Sequence, residues 1–218
     1  MKKRHAFTLI EMLVVIAIIG IVAALVVNMN AGAQAAKRNA QVNAGKSKLM
    51  TMINNYQSKL NFYPPDNGSL AATNLAYYDA TAAINPLLYE LTGATNTNTV
   101  PPTIIFFDGT SNTFQTTYSN LFGRASVLNA NPDEPHNFFQ PGPQPKEYTN
   151  YNSSISTNLF GLLVPVSMVS PTGTPITNFW HYDSSSTNRH NLSGYDLWAE
   201  YLIGSKNGSN IIMTNGNW

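Results

Sequence analysis

Two different hydrophobic patterns occupy the first sixty residues. Residues 12–36 carry no charge and are almost continuously apolar. As a helix, this segment extends about 37 Å, enough to cross a hydrocarbon core of about 30 Å. Further along, apolar side chains recur at the spacing of one helix face, at Leu49, Ile53, Tyr56 and Leu60. The pattern predicts one helix over 7–60, with a membrane-spanning first half and an amphipathic second half that packs on a globular domain.

The chain after the helix predicts short elements of both kinds. Pro64 disfavours helix in the residue before it, and a short helix is predicted over Ala83–Leu91, closed by Gly93. Thr103–Phe107 is a strand candidate. Four later runs are β-prone and separated by turn residues: Phe160–Val169, Ile176–Tyr182, Tyr195–Leu202 and Asn210–Thr214. The predicted fold class is α+β, a long N-terminal α-helix packed on a small antiparallel β-sheet domain.

These elements divide the chain into four segments. Residues 1–6 form a leader, 7–36 the apolar helix half, 37–62 the amphipathic helix half and 63–218 a globular domain. Within that domain, prolines interrupt residues 94–158, so we expect a variable, loop-rich region with one or two strands. We expect the sheet in residues 159–218.

Charge is distributed unevenly along the chain. Residues 1–60 carry eight Lys/Arg and one acid, whereas residues 61–218 carry four Lys/Arg and ten acids. The globular domain therefore lacks the basic patch needed to bind phosphate, and we expect no nucleic-acid binding by it. The chain contains no cysteine, which excludes a disulfide scaffold, and its 27 Asn, 20 Thr and 17 Ser favour an extracytoplasmic surface. A basic patch beyond the apolar half could bind lipid headgroups, and its residues are Lys37, Arg38, Lys46, Lys48 and Lys59. A solvated helix face is the favoured interpretation, because these charges spread around the helix.

The N-terminal segment predicts the orientation of the apolar helix. Lys2, Lys3 and Arg4 precede it and hold the N-terminus in the cytoplasm, so the domain lies outside. A cleaved secretory signal is the rival interpretation, but the apolar run is longer than such signals have. Glu11 stands at the edge of this run, where an unpaired carboxylate is expensive, so we expect it to have a cationic partner.

The residues around Glu11 carry a family resemblance. A basic leader is followed by Ala6-Phe7-Thr8-Leu9-Ile10-Glu11 and the apolar run, which closely resembles the prepilin signal of the type IV pilin and type II secretion pseudopilin family. The resemblance implies that a prepilin peptidase cleaves between Ala6 and Phe7 and that the new Phe7 amine is N-methylated. It also implies that Glu11 pairs with the Phe7 amine of a neighbouring subunit, although the spacing of four allows a pair within one helix. Ala6 replaces the usual Gly before the cleavage site.

A second resemblance concerns the C-terminal end. The segment from Gly194 to Glu200, with the terminal Trp218, resembles the major pseudopilin group, in which the intervening loop binds calcium. Here residues 205–210 contain Lys206 and no acid, and Asp196 and Glu200 are the only acids nearby. Because calcium prefers several charged oxygen ligands, we predict no metal and no cofactor.

Two other groups of residues could carry chemistry. A metal or hydrolytic site would use His136, His181 and His190 with Asp183 and Asp196, but ligand spacing is missing and ordinary packed or surface histidines are expected. A sugar-stacking surface would use Trp180, Trp198 and Trp218, although aromatic residues are more often part of a core. We expect no enzymatic activity.

The sequence thus favours a structural subunit of a pilus-like filament. The resemblance implies a single-pass protein of the cytoplasmic membrane with its domain in the periplasm or outside the cell, later assembled into a pilus or pseudopilus. The implied partners are copies of itself in a helical filament, other pilin-like subunits, the prepilin peptidase and the inner-membrane assembly platform. A type II secretion pseudopilin is the first hypothesis and a major or minor type IV pilin for adhesion, motility or DNA uptake the second. A membrane-tethered hydrolase or a carbohydrate-binding protein is less favoured.

Overall fold

A computed structural model describes most of the helix and the C-terminal part of the domain. The described residues are 8–66, 85–97, 103–105, 109, 111–113, 127, 129, 136–151, 159–169, 174–206 and 208–218.

The chain begins with a helix of 52 residues, α1, which spans Leu9–Leu60. Thr8 is its N-cap, and Asn61 ends it in the left-handed conformation with φ 65°. The Asn61 N–H donates to the Gln57 carbonyl oxygen over 2.8 Å, and Asn tolerates this backbone conformation better than most residues. The predicted helix over 7–60 is confirmed from Leu9 to Leu60, whereas Thr8 is extended and Phe7 lies outside the described residues.

The second half of α1 supplies one side of the core. Its buried apolar residues lie on one face and include Val42, Leu49, Met52, Ile53 and Tyr56. Three of the four predicted stripe residues are therefore buried, whereas Leu60 is only partly covered at the edge of the same core. The amphipathic half predicted from sequence is confirmed.

A short helix, α2, spans Leu87–Thr92, and every residue in it is buried. It ends at Gly93, as predicted, with φ 71°, which glycine adopts without strain. The predicted start at Ala83 is wrong over the described residues, because Asn85 is not helical and Pro86 is the N-cap. A proline pushes the residue before it out of the helical region, so the helix begins only after Pro86.

Ten strands are present in the described part of the chain, and every pairing among them is antiparallel. They are β1 (Thr95–Thr97), β2 (Thr103–Ile105), β3 (Ser111–Thr113), β4 (Tyr148–Tyr151), β5 (Leu159–Leu162), β6 (Met168–Val169), β7 (Pro175–Ile176), β8 (His181–Asp183), β9 (Asp196–Lys206) and β10 (Ser209–Gly216). They form two three-stranded sheets, β1-β2-β3 and β10-β9-β8, and two two-stranded sheets, β4-β5 and β6-β7.

The two long strand predictions in the C-terminal region are broken in the structure. Phe160–Val169 is divided into β5 and β6 around Pro165, which lacks a backbone N–H for a ladder. Ile176–Tyr182 is divided into β7 and β8, and its centre keeps one isolated bridge, between Leu163 and Phe179. The prediction of antiparallel strands is correct, but several small sheets replace a single one.

The region 94–158 contains more strands than predicted. We expected one or two, and the described residues contain β1, β2, β3 and β4. Two of these, Thr95–Thr97 and Ser111–Thr113, consist only of Thr, Ser and Asn. Strands of this composition lack the alternation of apolar and polar residues on which strand prediction depends.

Candidate functional site

The N-terminal end of α1 is closed by a reciprocal pair of side chains. The Glu11 N–H donates to the Thr8 Oγ1 over 3.3 Å, and the Glu11 Oε2 accepts both the Thr8 N–H and the Thr8 hydroxyl over 2.8 Å. This is a capping box, which satisfies helix N–H groups that have no partner within the helix. The Glu11 carboxylate is thereby folded back onto the start of its own helix.

Sequence reasoning missed this role of Glu11 although the signal was present. Thr8 and Glu11 have the Ser/Thr-x-x-Glu spacing of a capping box. The predicted pair between Glu11 and the Phe7 amine, the cleavage site at Ala6 and Phe7, and the basic residues Lys2, Lys3 and Arg4 lie outside the described residues. Those assignments remain predictions.

The first half of α1 is apolar on all sides and uncovered. All residues from Thr8 to Ala24 are exposed, including Ile16, whose exposed fraction is 66%. A helix that is hydrophobic all round normally lies in a large core or in a membrane. Nevertheless, no helix of the described residues reaches the length and hydropathy expected of a membrane span, so the predicted span is not confirmed.

The second half of α1 is fastened to the β9–β10 hairpin by a row of polar side chains. Asn39, Asn43 and Lys46 follow each other along one face of the helix and all reach Asn215. The Asn215 amide donates to Asn39 Oδ1 over 3.1 Å and to Asn43 Oδ1 over 3.0 Å. Lys46 donates to Asn215 Oδ1 and to the Gly216 carbonyl oxygen, and its burial lowers the pKa of its ammonium group. We call these residues the amide clamp.

Two of the three candidate histidines stack on tryptophans. His181 stacks on Trp198 with ring centres 5.0 Å apart, and burial lowers the pKa of His181 to about 4. His190 stacks on Trp218 at 4.1 Å, and its Nδ1 lies 3.2 Å from Asp196 Oδ2. Across the described ranges, no three metal-ligating side chains come together.

The remaining candidates are also divided among structural contacts. The His136 backbone pairs with the buried Asn129 side chain, and the His136 ring meets Phe138 edge-on. Trp180 is buried in the core and is not available to stack on a sugar, whereas Trp218 is 49% exposed. Asp183 accepts the Ser185 and Ser186 N–H groups. Burial raises the pKa of Asp183, and so does the neighbouring Asp66 carboxylate, which favours the protonated form of Asp183.

Two buried acids that sequence reasoning passed over hold the domain together. Asp66 accepts the Ser184 and Ser185 N–H groups over 2.7 and 2.8 Å, which joins the chain after α1 to the turn after β8. Glu90, on α2, accepts the Tyr56 hydroxyl over 2.9 Å and thus joins α2 to α1. Their sequence signals are weak, because an isolated acid usually lies on a solvated surface.

Residues 205–210, which the sequence resemblance compares with a calcium loop, form the tight turn of the β9–β10 hairpin. Lys206 pairs with Ser209, so only two residues connect β9 to β10, and Gly208 has φ 78°. Of the nearby acids, Asp196 accepts the His190 and Asn191 N–H groups. It therefore serves the loop before β9 rather than the hairpin end.

Comparison with known proteins gives one match. Residues 1–27 match the family model of the prokaryotic N-terminal methylation motif, which is the type IV pilin and pseudopilin signal. No curated protein and no solved structure matches the chain. The resemblance of the C-terminal end to major pseudopilins is not confirmed.

The match supports a type IV pilin-like or pseudopilin subunit and does not distinguish the two. Such a signal implies membrane anchoring followed by incorporation into a filament, with processing by a prepilin peptidase and assembly with other pilin subunits. The signal ends at residue 27, within the uncovered half of α1. The matched motif and the exposed apolar surface therefore belong to the same segment.

Proposed function

We propose that this chain is a non-enzymatic pseudopilin of a type II secretion system, which polymerises into a periplasmic pseudopilus that drives protein export. The observation that carries the proposal is that the methylation motif and the uncovered apolar half of α1 coincide. Before assembly the cytoplasmic membrane covers this half, with the N-terminus in the cytoplasm. In the filament, the same half packs against copies of itself and other pilin-like subunits.

The capping box supports a specific role for Glu11 in assembly. Its carboxylate already accepts a hydrogen bond from the Thr8 N–H. Phe7, the residue whose nitrogen would be released by cleavage, directly precedes Thr8 in the chain. Cleavage after Ala6 would turn that nitrogen into a cation, and within the described residues Glu11 Oε1 has no hydrogen-bond donor. A neighbouring subunit can therefore present its Phe7 amine to Glu11 without breaking the cap.

The proposed subunit has no enzymatic role, because its candidate catalytic side chains make structural contacts. His181 and His190 each use one ring face on a tryptophan, and Asp183 accepts backbone N–H groups. These contacts are typical of structural residues. The partners that follow from the proposal are the prepilin peptidase, the inner-membrane assembly platform and other subunits, without a cofactor.

A type IV pilus subunit for adhesion, motility or DNA uptake is the second candidate, favoured by the same motif. Deletion of the gene distinguishes the two candidates. Loss of secreted proteins with intact surface pili supports the pseudopilin, whereas loss of surface pili with normal secretion supports the pilin.

The decisive experiment compares Glu11→Leu with Thr8→Ala in cells that contain the assembly machinery. Both variants lose the capping box, but only Glu11→Leu removes the carboxylate and leaves the Phe7 amine as an unpaired charge in an apolar core. We expect Glu11→Leu to be cleaved and membrane-bound but absent from the fibres formed on overexpression, and Thr8→Ala to retain fibres.

Two results would contradict the proposal. Wild-type fibre yield from Glu11→Leu would remove the assembly role, and equal loss in both variants would reduce Glu11 to a helix cap. Mass spectrometry of the mature protein checks processing, since we expect an N-terminus at methylated Phe7. Recovery of intact Met1 would overturn the assignment.

A further inference from the structure

The β9–β10 hairpin lies along α1 with its turn directed toward the apolar half of the helix. At the base of the hairpin, Gly216 contacts Lys46. Nearer the turn, the Arg38 guanidinium donates to the Leu202 carbonyl oxygen over 2.8 Å. The helix contacts therefore move toward the N-terminus of α1 as the strands approach their turn.

The turn extends beyond the last of these contacts. Lys206 ends β9 four residues after Leu202, but a bulge skips Ile203 in the ladder. The remaining three steps are about 10 Å of strand and correspond to about seven residues of helix. Counted back from Arg38, the turn is level with about residue 31 of α1. This level lies within the uncharged segment 12–36.

The distal part of the hairpin has no core beneath it. Residues 208–212 are all exposed, and Ile211 and Ile212 are 39% and 47% exposed. A side chain added at Gly204 or Gly208 would meet no atom within 4 Å. A two-stranded hairpin without an apolar partner is marginal in water, so an external partner would stabilise this end.

Charge indicates an anionic partner. No acid occurs in residues 12–65 or 201–218. Neither α1 beside the turn nor the parts of β9 and β10 that adjoin the turn therefore carry negative side chains. The same region carries Lys37, Arg38 and Lys206. Basic residues beside an apolar segment are attracted to anionic lipid headgroups.

We propose that the hairpin end, defined as residues 204–212, inserts into the headgroup region of an anionic phospholipid bilayer before filament assembly. The inference rests on the proposed membrane anchoring of α1. Ile211 and Ile212 point to opposite faces of the hairpin because they are consecutive in β10, and the bulge beside them skips Ile203 of β9 rather than a residue of β10. A flat protein surface would cover one face, whereas a lipid interface surrounds both.

Insertion gives the chain a second contact with the membrane. The amide clamp holds the base of the hairpin on α1, and the hairpin end then fixes the distance of the domain from the bilayer. Leaving the membrane for the filament requires withdrawal of both the apolar helix half and the hairpin end.

The absence of cysteine allows a single-site test on the full chain. Ile212→Cys and, as a matched control, Leu192→Cys each carry one environment-sensitive label in proteoliposomes of phosphatidylglycerol and phosphatidylethanolamine. Leu192 is 69% exposed and precedes the opposite end of β9. Lipids with a spin label near the headgroup should quench the label at position 212 and leave that at position 192 unaffected.

Removing charge should weaken the insertion. Lys37→Gln together with Lys206→Gln, or replacement of phosphatidylglycerol by phosphatidylcholine, should reduce the insertion equilibrium by about fivefold per cation. Equal quenching at positions 212 and 192 would overturn the proposal. A disulfide between copies of unlabelled Ile212→Cys in the same vesicles would also overturn it, because a second chain would then cover the hairpin end.

One variant, measured both in the vesicles and in cells, separates this inference from the proposed function. Glu11→Leu, labelled at position 212, should be quenched like the parent protein while failing to form fibres in cells. Loss of quenching in a fibre-forming protein contradicts only the membrane contact of the hairpin end.

Discussion

The two halves of α1 are continuous in backbone but opposite in surroundings. In the first half Ile16 is 66% exposed, whereas in the second half Ile53 is completely buried by the domain. Both residues are isoleucines in regular helix, so the difference arises from what packs against them. The second half has its partner within the chain, and the first half depends on a bilayer or on other subunits.

This comparison separates folding from assembly. Burial of one large apolar side chain stabilises by about 1.5–3 kcal/mol, and the domain obtains this from the helix face that includes Val42, Ile53 and Tyr56. The apolar side chains of the first half obtain no such stabilisation from the described domain. Substitutions in the two halves should therefore affect different measurements.

The largest difference in unfolding free energy is expected between Ile53→Ala and Ile16→Ala. Ile53→Ala opens a cavity in the core and should lower the free energy of unfolding by about 2–5 kcal/mol. Ile16→Ala should leave that free energy unchanged. Urea unfolding of the full chain in detergent micelles measures both, followed by the fluorescence of Trp180, Trp198 and Trp218.

Fibre yield provides the complementary measurement. Ile16→Ala should reduce the fibre while the domain stays folded, because it removes apolar contact area between subunits. Equal loss of unfolding free energy in the two variants would show that the first half also packs on the domain and would invalidate the comparison.

The division of α1 could be predicted from sequence because each half has a simple pattern. An uncharged run and a stripe containing Leu49, Ile53 and Tyr56 are both visible without tertiary information. Thr8 and Asn61 set the ends of the described helix within two residues of the predicted bounds. The start of α2 differs from the predicted one because Pro86 disfavours helix in the residue before it.

The contacts that fasten the domain to α1 were not predictable from sequence in the same way. Three members of the amide clamp are asparagines, Asn39, Asn43 and Asn215, but the chain contains 27 asparagines, so none stands out. Glu90 and Asp66 become recognisable only when the fold buries them beside Tyr56 and the turn after β8. Polar pairs between distant residues leave no periodic pattern.

A smaller change, in the free energy of unfolding of the domain, is expected at acidic pH. Burial lowers the pKa of His181 to about 4 in the folded chain, against 6.5 for the ordinary group. Between these values the unfolded chain binds the proton and the folded chain does not, so stability falls as the pH is lowered from 6.5 to 4. The loss should be at most about 3 kcal/mol relative to His181→Phe, which keeps an aromatic ring on Trp198.

Asp183 changes the stability of the domain in the opposite direction from His181 over part of this pH range. Its pKa is raised, so it contributes stability at low pH that is lost as the pH rises. Comparing urea unfolding at pH 7 and pH 4 for the parent and His181→Phe isolates the histidine, because Asp183 is common to both. Identical pH dependence in the two proteins would show that His181 does not stay neutral when folded.

The smallest difference in stability is expected when glycine is replaced by alanine at two positions of α1. Alanine in place of glycine favours a helix by about 1 kcal/mol. At Gly32 the added methyl group would meet no atom within 4 Å, whereas at Gly45 it would lie 3.1 Å from Trp180 Cζ2 and 3.7 Å from Pro165 Cδ. Gly32→Ala should therefore raise helix content without changing the unfolding of the domain.

Gly45→Ala should instead destabilise the domain. Trp180 is buried among core side chains, so a shift of its ring disturbs their packing, and the close contact costs about 1–3 kcal/mol, which outweighs the gain in helix propensity. The expected net loss is about 1 kcal/mol, measured by urea unfolding beside Gly32→Ala in the same micelles. A gain in stability at Gly45 would mean that Trp180 adjusts and that the contact between helix and domain is looser than the structure indicates. Loss at Gly45 with no change at Gly32 would locate the boundary between the two halves of α1 between these glycines.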